Sequence, residues 1–72
     1  MIGNLYDTIY QLAYSISFVD YEVWVFAKNG KVVMYGKPNE IYVVIGSYFK
    51  LVNVNDYIID KDTHYIHLHT DL

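Results

Sequence analysis

Apolar side chains near the start of the chain recur at the spacing of an α-helix. One stripe is aliphatic and consists of Leu5, Ile9, Leu12 and Ile16. These four positions fall within about 60° of one another around a helix axis. Asn4 stands where an N-cap is needed, and Asp7 follows in the first turn, where the helix dipole favours a negative charge. The spacing predicts an amphipathic helix over residues 4–17.

A second stripe on the same helix is aromatic and consists of Tyr6, Tyr10 and Tyr14. It is centred about 130° away from the aliphatic stripe, so the three rings cannot all lie beneath the helix. We expect them either to cover the margin of a sheet or to meet a partner. In the second case two copies of the stripe would face each other across a two-fold axis and form a homodimer.

After Asp20 the pattern changes to β-branched and aromatic residues. Asn29 and Gly30 suit the two positive φ angles of a two-residue type I′ turn, which predicts a hairpin with Trp24 opposite Tyr35. One face of this hairpin is mostly small and aliphatic and consists of Tyr21, Val23, Val25, Ala27, Val32 and Met34. That face suits packing beneath the helix. The other face consists of Glu22, Trp24, Phe26, Lys28, Lys31, Val33 and Tyr35.

The rest of the chain divides into short apolar runs separated by turn residues. Gly36 and Pro38 predict a loop at 36–40, and the apolar run that follows is predicted as a third strand at 41–45. Further strands are predicted at 48–54, with a bulge, and at 56–59 and 64–69. The predicted fold class is α+β, with the N-terminal amphipathic helix packed on a four- or five-stranded antiparallel β-sheet in a single domain, residues 1–72. The alternative is a small β-barrel with a decorating helix.

Size limits the stability of such a domain. A chain of 72 residues buries only about 60% of its unfolded surface, and small domains usually add disulfides, a metal or oligomerisation. The sequence has no cysteine, which closes the disulfide route and the thiolate-metal route. Dimerisation or a very apolar core is left, and 54% of the residues are hydrophobic when the nine tyrosines are included.

Charge narrows the list of partners. Five lysines, no arginine and eight acidic residues give a net charge of −3, which disfavours binding to nucleic acid because phosphate contacts need clustered basic side chains. The N-terminus lacks the basic and apolar regions of a secretory signal. No apolar run approaches the roughly 18 to 20 residues of a membrane span. We therefore expect a cytoplasmic protein without a membrane partner.

The aromatic face of the predicted hairpin is the first candidate site. Trp24, Phe26 and Tyr35, with Lys28 and Lys31 at the turn end, have the composition of a protein-binding hot spot. Two other interpretations of this face are possible. The rings could stack on single-stranded bases, or the face could be the second side of a core that the C-terminal strands cover.

The second candidate site is a cluster near the C-terminus. His67, His69 and Asp71 alternate along a predicted strand, so their side chains would share a face. Two imidazoles and a carboxylate are suitable ligands for zinc or another divalent cation. The alternative is that they are partly exposed polar side chains on an edge or terminal strand.

Signatures of catalysis are missing from the sequence. Serine occurs only at positions 15, 17 and 47, outside any glycine-flanked elbow, and there is no phosphate-binding glycine loop. We predict no enzyme activity and no cofactor. The favoured function is a small protein-interaction module. The small size, the lack of arginine and the richness in tyrosine, isoleucine and asparagine suggest a phage or mobile element as the source, where such a protein acts as a stoichiometric inhibitor of a host protein. The alternative function is a divalent-metal-binding module.

Overall fold

The computed structural model describes residues 3–46 and 48–72. The fold is α+β, and a five-stranded mixed sheet carries two α-helices on one of its faces. The elements, in chain order, are β1 (Gly3–Asn4), α1 (Leu5–Ala13), a 3₁₀ turn (Ile16–Phe18), β2 (Glu22–Phe26), β3 (Val32–Gly36), α2 (Pro38–Ile45), β4 (Asn53–Asp60) and β5 (Tyr65–Thr70).

The strands lie in the order β1-β4-β5-β2-β3. Two antiparallel hairpins, β2-β3 and β4-β5, lie side by side, and β2 and β5 join them as parallel neighbours. The prediction of a purely antiparallel sheet is therefore wrong at the centre of the sheet. The barrel alternative is also wrong, because the sheet is open. The parallel pairing follows from the chain path, since a long connection that contains α2 lets β5 return in the same direction as β2.

The core fills the space between the helices and the sheet. Its buried apolar side chains come from every layer and are Leu5, Ile9, Tyr21, Val23, Val25, Ile41, Ile45, Val54, Ile66 and Leu68. The predicted aliphatic face of the first hairpin contributes three of them, and Met34 packs against the cluster. Thr70 is buried as well, and its hydroxyl donates a hydrogen bond to the carbonyl oxygen of Phe26 at 2.8 Å. This bond ties β5 to β2 beneath the helices.

The first helix begins as predicted and ends earlier. The Asn4 side chain accepts a hydrogen bond from the Asp7 backbone N–H at 2.8 Å, which confirms Asn4 as the N-cap. The helix stops at Ala13 because Ser15 takes an extended conformation, with φ −96° and ψ 123°. Ile16 therefore leaves the predicted aliphatic stripe and is exposed. No helix in the described part of the chain is long and apolar enough to cross a membrane.

Residues 41–45 form the second half of α2, so the prediction of a strand there is wrong. Five consecutive apolar residues fit a buried strand or a helix equally well, and the deciding signal lies just before them. Pro38 occupies the first helical turn, and the side chain of Glu40 accepts a hydrogen bond from the Lys37 backbone N–H at 2.9 Å. Only Ile41 and Ile45, one helical turn apart, are buried within that run.

The first hairpin is confirmed, but its turn differs from the predicted one. The Ala27 carbonyl accepts from the Gly30 N–H at 2.9 Å, and the Ala27 N–H donates to the Lys31 carbonyl at 2.8 Å. Gly30 has a φ of 85°, whereas Asn29 is not among the residues with positive φ. The connection is therefore a three-residue loop with glycine in the left-handed region, and not a type I′ turn.

This loop changes the register next to the turn only. Trp24 pairs with Tyr35 as predicted. Phe26 pairs with Val32, whereas a two-residue turn at 29–30 would place it opposite Val33.

The C-terminal hairpin is confirmed. Strand β4 covers Asn53–Asp60, pairs with β5 and has an irregularity between Val54 and Asp56. Residues 48–51 form turns, so the strand predicted at 48–54 exists only at its end, and position 47 lies outside the described residues.

Because residues 43 and 45 lie on different faces of α2, shortening their side chains should have very different effects on stability. Ile45→Ala removes a fully buried side chain and should lower the free energy of unfolding by about 2–5 kcal/mol. Val43→Ala removes a side chain that is 79% exposed and should change the free energy of unfolding by less than about 0.5 kcal/mol. Urea unfolding of both variants checks this. Similar losses in both would contradict the helix, because positions 43 and 45 would share a face only on a strand.

Candidate functional site

The sheet has one covered face and one open face. Both helices pack on the covered face, which holds the core. We call the other side the open face. Its side chains from the four long strands are Glu22, Trp24, Phe26, Tyr35, Asp56, Ile58, Asp60, Tyr65, His67 and His69. Tyr35 is 64% exposed, Ile58 57% and Tyr65 41%, whereas the rings at the centre of the face are half-buried against one another.

Strand register arranges these side chains in three rows across the sheet. The first row places Tyr65 between two carboxylates and runs Glu22, Tyr65, Asp60. The second row is the most aromatic and runs Tyr35, Trp24, His67, Ile58. The third row runs Phe26, His69, Asp56. The open face is thus a flat aromatic surface with carboxylates at its margins.

The rings of the open face support one another. The Trp24 and Tyr35 rings stack with centroids 5.0 Å apart, and the Phe26 and His69 rings stack at 5.1 Å with their planes 13° apart. The His67 and Phe26 rings meet edge to face, with centroids 5.2 Å apart. Such pairs contribute about 0.5–1.5 kcal/mol each beyond the burial of area. The contacts also restrict the side chains, so the surface is ordered before anything binds to it.

Hydrogen bonds fix the two carboxylates of the first row. The indole N–H of Trp24 donates to Oε1 of Glu22 at 2.6 Å. Oδ1 of Asp60 accepts from the backbone N–H groups of Thr63 at 3.2 Å and Asp62 at 2.9 Å. These backbone donors hold the pKa of Asp60 below its usual value of 3.8, so Asp60 stays charged at neutral pH.

The structure brings the predicted aromatic residues together. Trp24, Phe26 and Tyr35 lie on one face, and Lys28 and Lys31 are exposed at the turn end of the same hairpin. The alternative hypothesis, in which the C-terminal strands cover this face, is wrong. Strands β4 and β5 extend the sheet edge to edge and enlarge the face instead.

Sequence reasoning missed the contribution of the C-terminal hairpin to this surface. Tyr65 shares the alternation of His67 and His69, and that alternation was the available signal. The parallel register that places Tyr65 beside Glu22 and His67 beside Trp24 carries no local sequence signature.

The predicted metal ligands do not converge. His67 and His69 do lie on one face, as predicted, but both rings are packed against Phe26. Asp71 lies beyond β5, where its carboxylate accepts from the backbone N–H of Asn53 at 3.0 Å and from its side-chain amide at 3.1 Å. These bonds lower the pKa of Asp71. Within residues 3–46 and 48–72, no group of three histidine, aspartate or glutamate side chains is placed to hold a metal ion.

The tyrosine stripe of α1 packs against α2. The hydroxyls of Tyr6 and Tyr42 are hydrogen-bonded at 2.9 Å, and the centroid of the Tyr42 ring is 5.6 Å from that of Tyr10 and 6.2 Å from that of Tyr14. Lys50 places its ammonium 5.7 Å from the centre of the Tyr6 ring. The tyrosine stripe therefore packs on α2, a helix that the sequence pattern did not predict. Tyr14 nevertheless remains 70% exposed.

A groove of about 420 Å³ lies on the helix side, between α1 and β4. Its walls combine apolar side chains such as Leu12, Phe18 and Ile59 with the polar residues Asp7 and Thr8. The Thr8 hydroxyl donates to the carbonyl oxygen of Asn4 at 2.8 Å, so it is engaged in the helix start. Asp7 is the one acidic residue of the lining, so the groove offers neither a pair of carboxylates nor a nucleophile with an adjacent base.

The chain was compared with protein-family models, curated proteins and solved structures, and no significant match was found in any of the three.

The tyrosine cluster predicts a loss of stability in alkali. The hydrogen bond with Tyr6, partial burial and the nearby tyrosines raise the pKa of Tyr42 from 10.0 to about 12. Because the folded protein favours the protonated phenol, this contribution is complete below pH 10 and is lost as the pH rises towards 12. Urea unfolding measured across this range should show a falling free energy of unfolding, and the fall should be smaller in Tyr42→Phe. An equal decline in both proteins would contradict the assignment.

Proposed function

We propose that this chain is a small protein-interaction module that docks a protein partner on the open face of its sheet. One observation carries the proposal. Three rows of ordered, largely aromatic side chains lie on the side of the sheet opposite both helices. Exposed apolar surfaces of this kind mark interaction sites in small proteins.

The composition and rigidity of the open face suit a protein partner. Tryptophan and tyrosine are enriched at the centres of protein interfaces, where they contribute most of the binding free energy. Trp24, Tyr35 and Tyr65 present such rings on paired strands. Because the rings already contact one another, binding immobilises few side chains, and the loss of conformational entropy is small.

Single-stranded nucleic acid is the main competing ligand for an aromatic sheet surface, since bases stack on such rings. The charges of the open face argue against it. Glu22, Asp56 and Asp60 lie among or beside the rings, and the whole chain has a net charge of −3. Phosphates next to these carboxylates would be repelled. A protein partner avoids this conflict.

Several finer features belong to the proposal only as predictions of the sequence. They are a cytoplasmic location, a phage or mobile-element origin, inhibition of a host protein, a homodimer and the lack of enzyme activity. Inhibition fits a rigid docking surface, because a stoichiometric inhibitor acts by covering a site on its target. The divalent-metal alternative has less support, because the Asp71 carboxylate is hydrogen-bonded to Asn53 and no metal-holding group of three such side chains is found in residues 3–46 and 48–72.

Truncation of Trp24 should remove binding while the fold persists. Trp24→Ala loses its stacking on Tyr35, so the free energy of unfolding should fall by only about 1–2 kcal/mol. Partner binding should fall much further, because an interface tryptophan commonly contributes more than about 2 kcal/mol. Urea unfolding measures the first quantity. Capture from an extract of the source cells, followed by calorimetric titration of the purified partner, measures the second.

Tyr14→Ala is the matched control, because it removes an exposed ring from the helix layer on the other side of the sheet. It should leave partner binding unchanged. If Tyr14→Ala abolishes binding and Trp24→Ala does not, the tyrosine cluster is the docking surface and the proposal is wrong. Global unfolding of Trp24→Ala would show that this ring stabilises the fold itself, and the proposal for the open face would then be wrong.

A further inference from the structure

We propose that the open face binds a basic segment of its partner, with an arginine or lysine side chain seated over Tyr65 and Trp24 and flanked by Glu22 and Asp60. This inference rests on the proposed function, because it assigns the chemistry of the partner to the same surface. It depends on two features of the first and second rows, which are their geometry and their uncompensated negative charge.

The geometry places two carboxylates on either side of one aromatic ring. Tyr65 pairs with Glu22 on β2 and with Asp60 on β4. Neighbouring strands are about 4.8 Å apart, so the two acidic residues start roughly 10 Å apart with the ring between them. The Trp24 ring lies next to this row, with its centroid 6.2 Å from that of Tyr65. A guanidinium or ammonium group above these rings can reach either carboxylate.

In the described part of the chain the carboxylates at this end of the face form no ion pair, although the His67 imidazole lies close enough to Asp60 to contribute to its lowered pKa. Across residues 3–46 and 48–72, the only ion pair joins His64 and Asp20 at 3.7 Å, so neither Glu22 nor Asp60 has a lysine within 4.0 Å. Their hydrogen bonds come from neutral donors, which are the Trp24 indole and two backbone N–H groups. Because these donors are neutral, they do not cancel the charge of either carboxylate.

A cation is the complementary ligand for this arrangement. The faces of tryptophan and tyrosine rings attract cations through their negative quadrupole, and arginine in particular stacks on them. The adjacent carboxylates add a direct electrostatic attraction, and the net charge of −3 steers basic partners toward the protein. An acidic or phosphorylated segment would meet repulsion at the same place.

A probe peptide can test the chemistry before the partner is known. The probe is a capped peptide of alternating arginine and glycine, and the comparison peptide has glutamate in place of arginine. Trp24 is the single tryptophan of the chain, so its fluorescence reports directly on the proposed site. We expect a saturable fluorescence change with the arginine peptide, weakened by added salt, and none with the glutamate peptide.

Two isosteric substitutions separate charge from structure. Glu22→Gln and Asp60→Asn keep an oxygen to accept the existing hydrogen bonds and remove one negative charge each. The double variant should bind the arginine peptide about fivefold or more weakly, whereas its urea midpoint should change little. Asp7→Asn is the control for each single substitution, because it removes one negative charge on α1, on the opposite side of the sheet.

Three results of the peptide titrations would overturn the inference. They are unchanged affinity in the Glu22→Gln/Asp60→Asn variant, binding of the glutamate peptide in preference to the arginine peptide, and lack of saturable binding to the arginine peptide. Formation of a dimer that buries Trp24, measured by sedimentation equilibrium, would also overturn it by assigning the surface to a second copy. If capture of a partner still depends on Trp24 while the charge variant has no effect, the proposed function stands and only the basic chemistry is wrong.

Discussion

The parallel pairing of β2 with β5 is the interaction on which the rest of the structure depends. It joins two local hairpins into one sheet, and it brings together residues more than 40 positions apart, such as Trp24 and His67. On one side it aligns Val23 with Ile66 and Val25 with Leu68, which creates the floor of the core. On the other side the same register aligns Glu22 with Tyr65 and Trp24 with His67. The core and the open face are therefore two consequences of one pairing.

The helices decide which of the two faces remains available. Helices α1 and α2 pack on the same side of the sheet, and they contact each other through the tyrosine stripe and Tyr42. Two helices suffice to bury the aliphatic side, so the chain has no described element left for the aromatic side. A sheet with one covered and one solvated face usually carries polar residues on the solvated face. Here that face carries tryptophan, phenylalanine and tyrosine, and this departure is the main reason to assign it a binding role.

Local signals predicted much of the fold. Asn4 and the aliphatic spacing predicted the start of α1, Asn29-Gly30 predicted the first hairpin, and alternation predicted the second hairpin. The strand predicted at 41–45 was wrong because five apolar residues in a row have no periodicity, although Pro38 and Glu40 marked a helix start. The parallel strand pair could not be predicted, because long-range pairing leaves no signature in either strand alone.

The candidate site was predicted only in part, because some of its residues come together through long-range strand pairing. Trp24 and Tyr35 lie on one local hairpin, and alternation within that hairpin was enough to place them together. Tyr65 and Asp60 reach them only through the parallel register, so the flanking of an aromatic ring by two carboxylates became visible only in the folded chain. The sequence thus indicated the aromatic character of the surface, and the fold added its charge.

The proposed function requires that the aromatic face of the sheet is open in the free protein. Quenching of Trp24 fluorescence by acrylamide, a neutral quencher, tests it most directly, because the chain has no other tryptophan. We expect the quenching constant of the folded protein to be a large fraction of the value in urea and not to change as the protein is diluted. Strong protection from acrylamide, together with a blue-shifted emission, would show that the ring is buried and that the open face is not free to bind a partner.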